Sequence, residues 1–288
     1  MEIAVHHDAE ALRRLLGLPA GERFEALAAM RGLDLGDDAG RTFLRRIHEQ
    51  GDGFRVGAVD PRYMPALDRL VAVDAWGQVE RDLHRAWAHQ QDRNPGIAHP
   101  PRVEVVLTLG NPDDALFIEH TLGYYGMGAV PGSIWLCVWP TEFNLSRIGA
   151  CAVHELAHNL RTPNVTSFDL AEWIVQEGLA EAFALEVCGS GSTGAWYAGV
   201  TGERFERVWE LVTGAFGSGT SFADWTPYVM GDLIAARFGR APAGVPHMGG
   251  YAVGRRIVER YLAATGESAA VAIATPTATI LEIAGVRS

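Results

Sequence analysis

The sequence lacks an apolar stretch of about eighteen residues, the length that a transmembrane helix requires. Its first residues lack a basic segment followed by an apolar run, which is the pattern of a secretory signal. We therefore expect neither feature. Net positive charge is also lacking, because 24 Lys and Arg residues stand against 35 Asp and Glu residues, a formal net charge of -11. Nucleic acids and anionic membrane surfaces select positive charge, so this balance argues against both as partners.

Cysteine is scarce. Cys137, Cys151 and Cys188 are an odd number and lack the short spacings of a metal-binding motif. We expect reduced, buried thiols in a cytoplasmic protein. A mature secreted form would show the same pattern, although the initiating Met1 favours the cytoplasm. The composition, 48% apolar and 20% charged, is typical of a soluble globular protein, and 288 residues suffice for one large domain or two lobes.

Residues 154–158 have the form H-E-x-x-H. On an α-helix, residues i and i+4 share one face, so His154 and His158 can bind one metal ion. Glu155 lies about 100° round the helix from His154, where it can reach a water on that ion. The alternative interpretation is that these polar residues only cap the solvated end of a core helix.

A helical period supports the first interpretation. Thr141 or Asn144 can cap the helix, and Pro163 predicts an end near Arg161. The apolar face consists of Leu145, Ile148, Ala152, Val153, Leu156 and Leu160.

A second helix is predicted from a capping box, Asp169 with Glu172, to a stop at Gly189. Glu177 and Glu181 lie one turn apart on its face, which is otherwise apolar. Two carboxylates there are costly unless a cation or a hydrogen bond satisfies them. A solvated helix face is the alternative.

We predict one Zn²⁺ per chain, bound by His154, His158 and Glu177, with a fourth position for water as in catalytic sites. Glu181 is predicted to accept a hydrogen bond from a ligand histidine, His154 being favoured. The donor set suits Zn²⁺, although Co²⁺, Mn²⁺ or Fe²⁺ can occupy such sites.

H-E-x-x-H followed about twenty residues later by a glutamate in a second helix resembles the gluzincin metallopeptidases. The segment Q-E-G-L-A-E-A-F-A (176–184) resembles more closely the bacterial family of predicted zinc-dependent proteases called domain of unknown function 2268. Residues 123–140 resemble its Gly-rich loop and strand, and 250–258 resemble its G-Y-x-x-G-x-x-I-V helix. The resemblance covers about residues 100–285. The metzincin pattern is not met, because Arg161 occupies its glycine position and Asn164 its third histidine position.

The resemblance implies a zincin-like mechanism in which Glu155 is the general base. It also implies that residues 134–139 form a sheet edge to which a peptide substrate adds. Trp135 on this strand is a possible substrate contact, although a core position is the more common role. Tyr251 is the candidate donor to the oxyanion, because the family has a tyrosine there and Gly250 permits close approach; Tyr228 and His247 are the alternatives.

The predicted fold is α+β and mainly helical. We expect an N-terminal helical lobe (1–95), helical over residues 1–50 with a long helix from about residue 60 to 90. A zincin-like catalytic domain (96–288) follows, with a small mixed sheet that includes an edge strand. The boundary is placed where Pro95-Gly96 and two further prolines break the chain. Residues 102–109 and 134–138 are predicted strands.

The leading functional hypothesis is a zinc metallopeptidase that cleaves a peptide or protein substrate. One alternative is a zinc-dependent hydrolase or tailoring enzyme acting on a small molecule, since H-E-x-x-H does not determine the substrate. The other is a non-catalytic, metal-stabilised interaction module, against which the presence of Glu155 argues. The sequence leaves the oligomeric state and the cleavage preference open.

Overall fold

The computed structural model describes residues 1–32, 38–49, 53–166, 168–192, 194, 199–218 and 221–286. Four strands in this part of the chain form one sheet in the order β1-β2-β4-β3. β2 pairs in parallel with both β1 and β4, whereas β3 pairs antiparallel with β4, so the sheet is mixed as predicted. The strands are β1 (Glu2–Val5), β2 (Arg102–Leu109), β3 (Tyr124–Met127) and β4 (Ser133–Val138).

Helices make up most of the remaining described residues, which confirms the mainly helical α+β class. None of these helices is both long and apolar enough to span a lipid bilayer. They are α1 (Ala9–Gly17), α2 (Arg23–Met30), α3 (Asp38–Glu49), α4 (Tyr63–Ala72), α5 (Ala75–Arg93), α6 (Glu142–Leu145), α7 (Ile148–Arg161), α8 (Leu170–Cys188), α9 (Gly202–Gly214), α10 (Phe222–Val229), α11 (Asp232–Arg237), α12 (Gly249–Thr265), α13 (Ala269–Ala272) and α14 (Thr277–Ile283).

The N-terminal residues differ from the prediction of an all-helical segment, because Glu2–Val5 form β1 at the side of the sheet. β1 has only four residues, and their hydrogen bonds to β2 form only in the folded sheet. The sequence therefore gives little local signal for this strand. The division into lobes near residue 96 remains a prediction. Elements on its two sides contribute to one hydrophobic cluster, in which Leu83 of α5 and Val153 of α7 are both fully buried.

The prediction that residues 134–139 form the sheet edge is wrong. β4 lies between β2 and β3, and the edge strand next to β4 is β3. The Gly-rich segment before β4 is itself a strand, and its chain folds back so that Tyr125 pairs with Cys137.

The long helix predicted from residue 60 to 90 is two helices, α4 and α5, which are separated at Asp74 with a φ of 52°. Apolar spacing continues on both sides, so the break was not visible in the sequence. The predicted motif helix is likewise divided. Thr141 and Asn144 form a capping box on the short α6, and α7 then begins at Ile148 and ends at Arg161.

The second predicted helix, α8, has the expected ends. The Asp169 side chain accepts a hydrogen bond from the Glu172 amide (2.8 Å), and Gly189 follows the last residue with a φ of 84°. The Glu172 side chain does not complete the capping box, because its carboxylate pairs with Arg161.

α8 and α12 cross with their backbones in contact. A Cβ on Gly178 would lie 2.2 Å from the Gly254 carbonyl oxygen, and a Cβ on Gly254 would lie 2.0 Å from the Ile174 carbonyl oxygen. No side chain fits at either position, so two glycines are required there. The crossing brings the first turn of α12, with Tyr251, to the middle of α8, where Glu177 lies.

Arg161 is a buried charge at the end of α7, with only 1% of its surface exposed. Its guanidinium donates two hydrogen bonds to the Glu172 carboxylate (2.6 and 2.8 Å). It also donates to the Ile273 and Thr275 carbonyl oxygens and to the Thr277 hydroxyl. Arg161 thus joins α7 and α8 to the C-terminal helices.

Replacing Arg161 by Met should leave the buried Glu172 carboxylate without its charged partner and lower the free energy of unfolding by about 3–5 kcal/mol. Urea denaturation followed by circular dichroism measures this loss. Arg161→Met/Glu172→Met should recover much of it, because no unpaired charge remains.

The matched control is Arg81→Met, which removes a guanidinium from an exposed pair with Asp74. We expect a far smaller change there, because solvent screens exposed pairs. Equal losses in Arg161→Met and Arg81→Met would contradict a structural role for the buried pair.

Candidate metal centre

Three side chains from α7 and α8 bring one donor atom each to a common point. The Nε2 atom of His154 lies 3.2 Å from Nε2 of His158 and 3.2 Å from Oε2 of Glu177. Nε2 of His158 lies 3.4 Å from the same Glu177 oxygen. Bonds of 2.0–2.1 Å to a tetrahedral zinc ion place ligand atoms about 3.3 Å apart. The predicted ligand set therefore has the spacing of three corners of a zinc tetrahedron, and these residues could hold a metal ion.

The electrostatics of this cluster favour a cation. All three residues are buried, and Glu177 is only 3% exposed. Burial alone would raise the pKa of Glu177, but the charge of His158 and hydrogen bonds with both imidazoles lower this pKa to about 2. Burial alone would lower the pKa of His154, but Glu177 and Glu181 outweigh it and raise this pKa well above its usual value. The carboxylates thus stabilise positive charge at the position of the imidazole nitrogens.

Glu181 lies on the far side of His154. Its Oε1 is 3.4 Å from Nδ1 of His154, and its Oε2 accepts a hydrogen bond from the Gly194 amide (3.2 Å). A carboxylate beside Nδ1 favours the tautomer that leaves Nε2 free to bind a metal. The corresponding Nδ1 of His158 has no hydrogen-bond partner among the described residues.

Glu155 is held between α7 and the Gly-rich edge strand. A Cβ on Gly126 would lie 2.4 Å from Cγ of Glu155, and a Cβ on Gly128 would lie 2.3 Å from its carbonyl oxygen. The close approach allows the Gly128 amide to donate a hydrogen bond to the Glu155 carboxylate, while burial raises the pKa of that carboxylate. The Gly-rich segment, whose role the sequence left open, is therefore part of the site.

Tyr251 covers the other side of the cluster. Its ring is stacked on that of His154, with 6.5 Å between ring centres and 13° between ring planes. Burial, followed by the charges of Glu177 and Glu155, raises the pKa of Tyr251 well above its usual value. The hydroxyl is thus kept protonated and able to donate a hydrogen bond.

The other three predicted site residues make their described contacts outside the cluster of donor atoms. The Trp135 ring packs against His48 and lies 5.3 Å from the Arg31 guanidinium. Nε2 of His247 is 3.2 Å from the His120 carbonyl oxygen. Tyr228 packs against the second hydrophobic cluster, formed mainly by α8, α9 and α12.

A small cleft of about 70 Å³ opens beside His154, below the ~300–1,000 Å³ typical of sites for drug-sized ligands. Trp135, Tyr228 and His247 are not among its described lining residues. The lining consists of Thr121, Tyr124, Tyr125, Gly126, Ala150, Cys151, His154, Glu155, Glu181, Ala184, Gly194, Met248 and Tyr251.

Sequence reasoning missed the part played by two asparagines that hold the β3–β4 hairpin against α6 and α7. The Asn159 side chain donates to the carbonyl oxygens of Gly128 (2.7 Å) and Ser133 (3.0 Å) and accepts from the Gly132 amide (2.7 Å). The Asn144 amide donates to carbonyl groups at the other end of the hairpin, including that of Trp139 (2.9 Å). A polar residue directly after His158 on a buried helix was the available signal for Asn159.

All three cysteines are free thiols; Cys137 is fully buried, and Cys151 and Cys188 are partly buried. Cys151 lines the cleft, where burial and the Glu155 and Glu181 charges raise the pKa of its thiol. The cytoplasmic location remains a prediction.

Comparison with known proteins agrees with this site. Residues 84–282 match the model of the family described as "Predicted Zn-dependent protease (DUF2268)". A relative, "Uncharacterized protein YjfC" from Bacillus subtilis (strain 168), is 33% identical over 144 residues, which are 49% of this chain and 48% of the relative. The chain therefore matches about half the length of this relative. No solved structure matches the chain significantly. The family match covers more than half of the residues, including both ligand helices, and the chain therefore belongs to the DUF2268 family of predicted Zn-dependent proteases.

Proposed function

We propose that this protein is a metallopeptidase that binds one Zn²⁺ through His154, His158 and Glu177 and hydrolyses amide bonds of a peptide or protein. The observation that carries the proposal is the triangle of donor atoms, 3.2–3.4 Å apart, next to the buried carboxylate of Glu155. Such a carboxylate, held by the Gly128 amide beside the donor atoms, is suited to moving a proton.

A bound zinc ion would polarise the scissile carbonyl group and lower the pKa of a water molecule toward ~7. Glu155 takes a proton from the attacking water as its oxygen adds to the carbonyl carbon. It then delivers that proton to the nitrogen as the carbon–nitrogen bond breaks, so the products are a carboxylic acid and an amine. The raised pKa of Glu155 suits both steps, because a general base that must also act as an acid works best near the operating pH.

Tyr251 supplies a hydrogen bond to the carbonyl oxygen that gains negative charge as water adds. Its position over His154 and its raised pKa support this role, because a preorganised neutral donor stabilises developing charge without losing its own proton. Its attachment to α8 through the Gly178–Gly254 contact supports a constant distance from the ligands.

The position of β3 at the edge of the sheet favours a polypeptide as the substrate. The outer side of β3 has no paired strand among the described residues, and it lies against Glu155 through Gly126. An extended peptide can add to such an edge through main-chain hydrogen bonds. This assigns to residues 124–127 the role that the sequence suggested for 134–139.

Glu177→Ala should remove a zinc ligand. We expect about one zinc ion per chain in the parent protein and loss of most of it in the variant, measured by plasma mass spectrometry after purification without chelator. Glu181→Gln, which removes the charge beside Nδ1 of His154, should weaken zinc binding by about 10–100-fold.

Glu186→Gln on the same helix is the control and should keep its zinc, since this carboxylate pairs with His89 instead. Full zinc occupancy in Glu177→Ala would mean that the third ligand lies elsewhere.

Glu155→Gln should keep its zinc but lower kcat by about 10²–10⁴-fold, because the amide cannot accept the proton of water. Turnover of an unfolded polypeptide, measured beside zinc content, tests this. A variant as active as the parent would refute the role as base.

A zinc-loaded parent that cleaves no unfolded polypeptide would favour the small-molecule hydrolase or the interaction module instead.

Tyr251→Phe should lower kcat by about 10²–10³-fold with little change in zinc content, because it removes one donor to the oxyanion. Tyr228→Phe is the matched control and should behave as the parent. If the loss occurs in Tyr228→Phe instead, the donor has been assigned to the wrong tyrosine.

A further inference from the structure

Met248 combines a strained backbone with a position in the cleft. Its φ and ψ are 53° and 26°, in the left-handed region, immediately before α12. Its amide donates to the Met230 carbonyl oxygen (2.9 Å), which holds this conformation. Residues with a Cβ adopt the left-handed region at a cost in free energy, and such strain concentrates at functional positions. A glycine would adopt this backbone conformation without strain. The strain at this position is therefore explained if the Met248 side chain itself has a role in the cleft.

The cleft walls near Met248 are small and apolar. Ala150 and Cys151 lie one turn before His154 on α7, and Ala184 lies one turn after Glu181 on α8. All three line the cleft together with Met248. Because these side chains are short, they leave a recess next to the metal ligands that a longer side chain on α7 or α8 would fill.

The charges around this recess disfavour an acidic ligand. Glu155 and Glu181 line the same cleft, and no Lys or Arg is among its described lining residues. Glu181 is already engaged with His154 and Gly194, so it does not serve as the partner of a cationic side chain. A C-terminal carboxylate would likewise find no Lys or Arg among the described residues of the lining.

We propose that the recess formed by Ala150, Cys151, Ala184 and Met248 selects the substrate, and that it accepts an uncharged apolar side chain of a residue adjoining an internal peptide bond. Met248 is the specificity-determining residue, and its thioether closes the recess from the α12 side. The flexible, polarisable methionine side chain adapts to apolar groups of different shape. This inference rests on the proposed peptidase function and adds the substrate class to it.

The test uses the full-length zinc protein and internally quenched fluorescent peptides in which each residue beside the cleaved bond is varied among Leu, Met, Gly, Asp and Arg. At one of the two positions, kcat/KM for Leu or Met should exceed that for Gly or Asp by at least about 10-fold, since small differences in apolar size change kcat/KM by 10–200-fold. Met248→Ala and Met248→Gly should both reduce this preference about 10-fold. Ala184→Phe should fill the recess and shift the preference to Gly.

Two further measurements separate loss of contact from loss of fold. Met248→Gly should have a higher Tm than Met248→Ala, because only the alanine variant keeps the strained Cβ. In the Glu155→Gln background, fluorescence anisotropy should give a raised Kd for a labelled Leu peptide when Met248 is replaced. Asp74→Gly is the control, because Asp74 has a similar φ of 52° and is not among the described lining residues of the cleft; it should retain the parent preference.

An unchanged preference in both Met248 variants, or a parent that favours Asp or Arg or removes C-terminal residues, would overturn this inference and leave the peptidase function standing. A zinc-loaded parent that cleaves none of the peptides would overturn the proposed function and this inference with it.

Discussion

The structure depends on three carboxylates that are buried beside two imidazoles. Glu177 and Glu181 lie between α7 and α8, and Glu155 lies between α7 and the β3 segment. Burying such groups is unfavourable unless each is paired. Glu177 and Glu181 flank His154 on its two ring nitrogens, and Glu155 accepts the Gly128 amide. A divalent cation between His154, His158 and Glu177 would complete the pairing. The same polar cluster that is costly in an apolar helix interface is thus the feature that suits this interface to holding a metal ion.

The surrounding fold keeps this cluster in one arrangement. Gly178 and Gly254 let α12 approach α8 closely, and this contact determines where Tyr251 lies. Asn159 holds the hairpin on the other side, so Glu155 is confined between backbone and helix. Packing density explains why glycines occur at these contacts: a single methyl group would move a helix or a strand away from the ligands. The polar Arg161–Glu172 pair has a separate role, because it connects the ends of the ligand helices to the C-terminal segment.

The cleft has three walls of different chemical character. α7 and α8 present the candidate ligands and short apolar residues, β3 presents its outer edge, and the start of α12 presents Tyr251 and the strained Met248. The proposed polypeptide substrate would use all three walls, since its backbone can pair with a strand while one side chain enters the recess. This arrangement of the cleft walls agrees with the family's description as predicted Zn-dependent proteases.

The sequence by itself determined the features whose physics is local. The i, i+4 spacing of His154 and His158, the Asp169 cap and the Gly189 stop depend on the geometry of one helix, and all lie where they were predicted. Only the tertiary structure decided which strand is the edge, because β4 becomes interior when the Gly-rich segment pairs with it. The contacts of Asn159, Gly126 and Met248 also join residues distant in sequence, and no helical or strand period encodes such contacts. The periodicity of the sequence therefore predicted α7 and α8, the helices that carry the candidate ligands. The strand, loop and helix that surround them were decided by close packing between elements distant in sequence.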